Sequence, residues 1–439
     1  VNYASEGRQL LINDGTTFNN SGRFNFTTDG DVTENSGFGG NFNNSGTLAK
    51  TGGSGSSGFA SFVRFNNLDG GTVDSGTGSL LLQTGGNHAG VFNIVGSNVR
   101  FNAGTHTFAT GATLNGIANF GGATVNLSGA TVDGQLNLQG GTINQAAGTA
   151  LNVDGAMRWD ASATISGGTL NLLAGSSSTL RAHTNGGHLT LSGVTVNNMG
   201  TVNYASEGRQ LLINDSTTFN NSGRFNFTTD GDITENSGSG GNFNNSGTIA
   251  KTSGTGRSGF ASFVRLVDQG GSYRADSGTL DLSALSTLSG RMDIAAGARI
   301  VTGALSNGGI IAGNGTLDLG GALLTNRGVL QPGGTGTVGT LTVIGGLQQD
   351  ELGRIEAEFA GTAAGQYDVL DVRGNTLLDG VLAIQAINGA QPSESMGLAM
   401  VTAGGTLEAS SLALSAPSGN YSLTRTASTV RLGFTNCAI

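Results

Sequence analysis

Cysteine is almost missing from this sequence: Cys437 stands alone among 439 residues, which excludes an intrachain disulfide and any cysteine-based zinc site. Only three prolines occur, Pro332, Pro392 and Pro417, all in the final quarter. Charged residues make up 11% of the chain, against about 25% in an average protein. The 20 basic and 29 acidic side chains are thinly spread, with no Lys/Arg-rich run to displace counterions from a phosphate backbone, so a nucleic-acid partner is not expected. No run of 18 apolar residues occurs, hence no transmembrane segment is expected in this chain. The opening Val1-Asn2-Tyr3-Ala4-Ser5-Glu6 has neither the charged nor the apolar region of a signal peptide, and reads as a soluble mature form or a piece whose targeting signal has been removed. A helical 3.6-residue period is sustained nowhere.

Glycine, in contrast, is abundant: 78 of 439 residues, against a usual share of about 7%. Glycine and proline together stay below the roughly 25–30% that marks low-complexity disorder, and 36% apolar residues supply a core. The expectation is a folded chain punctuated by glycine.

Self-similarity comes at two scales. Residues 1–64 return as 202–265 with 57 of 64 positions identical. Within each copy Asn-Asn-Ser-Gly recurs, at Asn220 and Asn244, a step of 24, and downstream Asn307-Gly308-Gly309-Ile310 and Asn326-Arg327-Gly328-Val329 step by 19. A period of about 19–24 residues is one supersecondary unit per repeat. Between the glycines the pattern alternates with period two, as in Val125-Asn126-Leu127, Leu151-Asn152-Val153 and Leu317-Asp318-Leu319. That is strand, in pieces of three to five residues bounded by turns that require φ > 0. Leu352 to Phe359 is more ambiguous but also alternates.

Short strands, sharp turns and this period predict an all-β fold, a right-handed parallel β-helix in which each coil stacks on the next. Residues 1–346 hold roughly 16 coils at about 22 residues each, with inward Phe, Leu, Ile and Val columns. Phe18 with Phe42, and Phe219 with Phe243, are the expected aromatic stacks. After Gly346 the spacing loosens, and residues 347–439 are assigned to a C-terminal β cap covering the last coil's unpaired backbone.

The run Asn307-Gly308-Gly309-Ile310-Ile311-Ala312-Gly313-Asn314-Gly315-Thr316-Leu317, followed by Leu324-Thr325-Asn326-Arg327-Gly328-Val329-Leu330-Gln331-Pro332-Gly333 and Gly339-Thr340-Leu341-Thr342-Val343, resembles the coils of bacterial autotransporter passengers and filamentous-haemagglutinin-type surface proteins. Gln366-Tyr367-Asp368-Val369-Leu370-Asp371-Val372-Arg373-Gly374 resembles the passenger's autochaperone-like module. The resemblance implies a secreted protein of the extracellular bacterial cell surface, commonly adhesive or structural. Such proteins continue into a membrane β-barrel, whereas this sequence ends at Ile439.

No catalytic, cofactor-binding or metal-binding residue is assigned. His88, His106, His183 and His188 read as exposed polar residues on turns. Asp29, Asp31 and Glu34, repeated as Asp230, Asp232 and Glu235, read as an acidic, solvated turn rather than a calcium site. Asn19, Asn43, Asn220 and Asn244 fit the glycosylation pattern but read as turn residues. Asp368 and Asp371 read as separated by opposite-facing positions, which weighs against a polysaccharide-cleaving enzyme, the alternative function. Cys437 has no assigned role. Because Val202 follows a complete coil while its copy Val1 opens the sequence, the neighbour beneath Val1 is expected either from a longer parent chain or from another subunit in head-to-tail self-association, alongside a glycan or cell-surface ligand.

Overall fold

The computed structural model describes residues 1–435 apart from 6, 61, 161, 183–186, 207, 262, 394–395 and 418–419. Every regular element among them is a β-strand, mostly of two to six residues. The strands stack in parallel as a β-solenoid, and the chain divides into two compact units: Val1–Arg224 with Ile233–Asn242, and Phe225–Asp232 with Phe243–Ile439.

In the first unit, successive coils place Thr113–Phe120 in register with Thr131–Leu138 on one sheet, while Thr105–Phe108, Thr124–Leu127 and Gly141–Gln145 follow one another on a second. Period-two alternation sends Leu114 and Val132 inward on one side and Val125 and Ile143 on the other, all buried. Phe18 stacks on Phe42 with centroids 4.9 Å apart and planes 16° from parallel, as expected from their spacing. Phe59 and Phe65 add a second stack at 4.6 Å.

The second unit carries a continuous apolar column: Ile249, Tyr273, Met292, Ile311, Leu330, Ile355 and Leu382 pair residue on residue, and each is fully buried. Each such burial contributes about 1.5–3 kcal/mol. The alternating segment near Leu352 forms the strand Arg354–Phe359. Residue 346 lies within Thr340–Gln349, a strand paired in parallel on both sides. Further on, Thr429–Phe434 runs antiparallel to both Gly397–Ala403 and Tyr421–Arg425, occupying backbone groups that the parallel stack would leave unpaired.

The Asn-Asn pairs correct the turn assignment. Asn19 and Asn20 end the strand Thr17–Asn20, and Asn43 and Asn44 end Gly40–Asn44; Ser-Gly alone makes the turn. The first Asn of each pair faces out and the second faces in. The inner amides form a buried ladder: Asn20 Nδ2 donates to Asn44 Oδ1 at 2.7 Å, and Asn44 Nδ2 to Asn67 Oδ1 at 2.8 Å. In the second unit Asn307 donates to Asn326 at 2.7 Å, and Asn326 to Gln349 at 2.9 Å.

Beside that second ladder runs a line of glycines. A Cβ on Gly309 would lie 2.0 Å from the Gly290 carbonyl oxygen, and one on Gly328 2.1 Å from that of Gly309. These carbonyls accept the N–H of Ile310 and Val329. Here glycine serves close approach between coils, a second use beside the φ > 0 turns.

Two substitutions check these contacts. Asn326→Ala leaves the buried Asn307 amide with only its longer bond to the Val329 carbonyl at 3.4 Å and orphans the Gln349 side-chain carbonyl, the latter at about 1–3 kcal/mol. Gly309→Ala overpacks the corner, at about 1–3 kcal/mol. Urea unfolding of each variant against the parent reads both, and an unchanged midpoint for either contradicts the corresponding contact.

Candidate functional site

The histidines differ from expectation. His88 and His106 are not exposed turn residues but lie in the core of the first unit, 1% and 0% exposed. The strand Gly85–His88 pairs with Thr105–Phe108, and the alternation of those strands turns both imidazoles inward. Their rings stack at 5.3 Å among Phe92, Phe101 and Phe108. His106 Nε2 donates to the Ala103 carbonyl at 3.2 Å, leaving its Nδ1 to accept from His88 Nε2 at 3.0 Å. His88 Nδ1 is then a lone pair without a partner among the described residues, less costly than an orphaned N–H. Burial holds both rings neutral: His88 is pushed well below the usual range, helped by His106, and His106 falls to about 4. His188 accepts the backbone N–H of Gln210 at 3.1 Å. His183 and Cys437 lie outside the described residues.

The acidic turn is not simply solvated. Asp29 Oδ1 accepts from Lys50 Nζ at 2.9 Å, and the same ammonium donates to the Gly52 carbonyl and Ser57 Oγ, both at 3.0 Å. Its three protons thus meet three acceptors, which is what a fully buried lysine side chain requires. The Lys50 hydrogen bond lowers the pKa of Asp29, while burial raises that of Asp31. Glu34 is itself buried and accepts from Ser36 and from the Gly37 N–H. The second copy repeats the arrangement with Lys251, Asp230 and Ser258. Sequence reading overlooked these lysines although a signal was present: they are the only two in the chain. Among the described residues no three His, Cys, Asp or Glu side chains converge as a metal site.

Asp368, just ahead of the strand Val369–Val372, is fully buried and accepts the N–H groups of Gly339 and Glu358, each at 2.7 Å. Burial raises its pKa to about 7 against the pull of those hydrogen bonds, with the Glu358 charge adding to the rise. Asp371 is partly exposed, accepting from Thr402 at 2.9 Å and pairing with Arg373 at 2.6 Å. Next to Glu358 opens a cavity of about 580 Å³ whose lining includes Gln331, Arg354, Glu356, Glu358, Ala383 and Pro417.

The outward rows form a second kind of surface. Thr105, Thr124, Thr142, Thr164 and Thr190 stand in register, one per coil. Beside them run Thr107, Asn126, Asn144, Ser166 and Ser192, in which Asn144 donates to Asn126 at 3.0 Å and Ser166 to Asn144 at 2.8 Å. None of these ten side chains is charged.

No protein-family model and no curated protein matches this sequence. Among solved structures, it is similar to the crystal structure of the Haemophilus influenzae Hap adhesin, with a TM-score of 0.35 and 12% identity over 98% of this chain. The chain spans 64% of that chain's length.

The two buried titrating centres act in opposite senses. Below pH 6.5 the unfolded chain binds protons that the folded His88 and His106 refuse, so acidification towards pH 4 removes stability at up to about 1.4 kcal/mol per pH unit per histidine. Asp368 does the reverse: the folded state holds a proton the unfolded state releases, so its contribution is present below pH 3.8 and lost as pH rises to about 7. Melting temperatures between pH 4 and 7 should therefore show His88→Leu/His106→Leu gaining relative to the parent as pH falls, and Asp368→Asn gaining relative to the parent as pH rises. Parallel curves for parent and variant would contradict either assignment.

Proposed function

We propose that this chain is a non-enzymatic extracellular protein of a bacterial surface, either an adhesin that docks a glycan or other cell-surface ligand on its polar rows, or a fibre-forming protein whose copies join head to tail. One observation carries the adhesive reading: the in-register rows headed by Thr105 and Thr107 present partly exposed hydroxyls and amides with the coil spacing of about 4.8 Å. Each hydroxyl or amide both donates and accepts, so the surface suits an extended, uncharged, polyhydroxylated ligand. A nucleophile or acid pair for cleavage would need carboxylates facing one another across a groove. Asp368 and Asp371 are instead committed to backbone N–H groups and to Thr402 and Arg373, which supports a role in the scaffold.

Glycan-array binding and negative-stain microscopy of the purified chain test this together. For the adhesin, saturable glycan binding is expected, reduced at least tenfold by Thr142→Lys/Thr164→Lys with the melting temperature unchanged. Ordered fibres would establish the structural branch instead. A chain that neither binds nor assembles refutes the proposal.

A further inference from the structure

We infer that the shallow cavity beside Phe263 in the second unit is a binding site for a neutral pyranose ring. Phe263 lies between the strands Arg257–Phe260 and Val264–Asp268. The Ala261 carbonyl accepts the Val264 N–H at 3.3 Å, closing a reversal in which Phe263 has a φ of 69°. A side chain other than glycine or asparagine rarely takes that conformation, and for a bulky one it is a source of strain. The fold gains little in return, because Phe263 is 75% exposed. An aromatic ring held in a strained turn and left in water points to a task outside the core.

The ring borders a cavity of about 370 Å³, room for one sugar ring, whose lining also includes Ala261, Ala284, Arg257 and Ser283. Arg257 is half exposed. Its Nη1 and Nε donate to Asp232 and Asp281 at 2.6 and 2.8 Å, whereas Nη2 donates to no described residue. Ser283 Oγ donates to Asp281 Oδ1 at 2.6 Å, which keeps its lone pairs as acceptors. The cavity thus combines an apolar aromatic surface, a spare donor and a spare acceptor.

Charge then selects the ligand. One guanidinium stands between two carboxylates, so the site has no cationic excess with which to hold an acid. A pyranose carries C–H groups on the faces of its ring and hydroxyls at its rim, so one face can pack on Phe263 while the rim addresses Arg257 and Ser283. An aliphatic side chain would make no use of either polar group. The duplication provides an internal comparison: Phe62 repeats the turn with a φ of 66° and 66% exposure. There Ser56 replaces Arg257, and the following coil presents Leu81 instead of Asp281, so the first copy lacks the polar half of the site. The inference extends the adhesive reading to a second surface, and either surface can fail without the other, since the threonine rows lie in the first unit.

Saturation-transfer NMR of the full chain at pH 7 with methyl β-glucoside, methyl β-galactoside and methyl β-glucuronide tests it. A neutral glycoside should receive saturation at its ring C–H protons, and the glucuronide should bind at least tenfold more weakly. Phe263→Gly and Phe263→Asn suit the turn and should weaken binding at least tenfold while the melting temperature holds or rises, a combination that misfolding cannot produce. Phe62→Gly should leave binding unchanged. Absence of transfer to either neutral glycoside, a glucuronide that binds as well, or an equal loss in Phe62→Gly overturns the site. Binding that survives both Phe263 variants but is lost in Thr142→Lys/Thr164→Lys places the sugar on the rows and overturns it too, as does a melting temperature lowered in both Phe263 variants, since the ring would then be serving the fold.

Discussion

At the corner of a coil the chain must reverse within two residues, and the carbonyl and amide groups of that corner face the interior. An inward asparagine resolves this. Asn44 Nδ2 donates both to Asn67 on the next coil and to the Thr72 carbonyl of the strand that follows, while its Oδ1 accepts from Asn20 on the preceding coil. A short side chain with a donor and an acceptor is needed, and a branched apolar residue would leave those groups unpaired in a low dielectric. The ladder also fixes register, since a one-residue slip would turn the second Asn outwards and the first inwards, along with every apolar neighbour. The aliphatic columns and the outward rows both follow from that alignment.

How far the fold was legible depended on which signal carried each feature. The coil period, the strands and the Phe18–Phe42 stack followed from spacing and alternation, because apolar residues declare which way they face. Asn-Asn does not: both residues are polar, and period two alone cannot say which points inwards, so a buried ladder read as a surface turn. His106 failed for the same reason, with composition suggesting exposure while its alternation with Phe108 placed it inside. Glu358 was invisible because its enclosure depends on the Gly333–Gly339 segment returning over the strand, which no local pattern records.

Sparse charge also acquires a structural meaning. Several arginines are matched by an acid two residues away, as in Arg158–Asp160, Arg274–Asp276, Arg291–Asp293 and Arg373–Asp371. Such exposed pairs add little stability. Their effect is local neutrality, which leaves hydroxyl and amide rows as the dominant surface chemistry. Both lysines are withdrawn from that surface and used as buried cross-braces, with the charge of each met by an aspartate and its remaining protons by a carbonyl and a serine.

The duplication separates what a block needs for itself from what it needs from its neighbour. Asp29, Lys50 and Ser57 and their counterparts Asp230, Lys251 and Ser258 make the same bonds, so the knot is drawn wholly from residues inside the block. One of the seven differences behaves otherwise. Ser56 is replaced by Arg257, and the strand stacked on this one changes too: Gly58 pairs with Leu81, whereas Gly259 pairs with Asp281. Arg257 bridges Asp232 at 2.6 Å and Asp281 at 2.8 Å, supplying a cation where the next coil introduces an acid. Because coils in a solenoid interact chiefly with nearest neighbours, a copied block can be carried to a new position with its interior intact, provided the side chains touching the following coil are adjusted to what that coil presents.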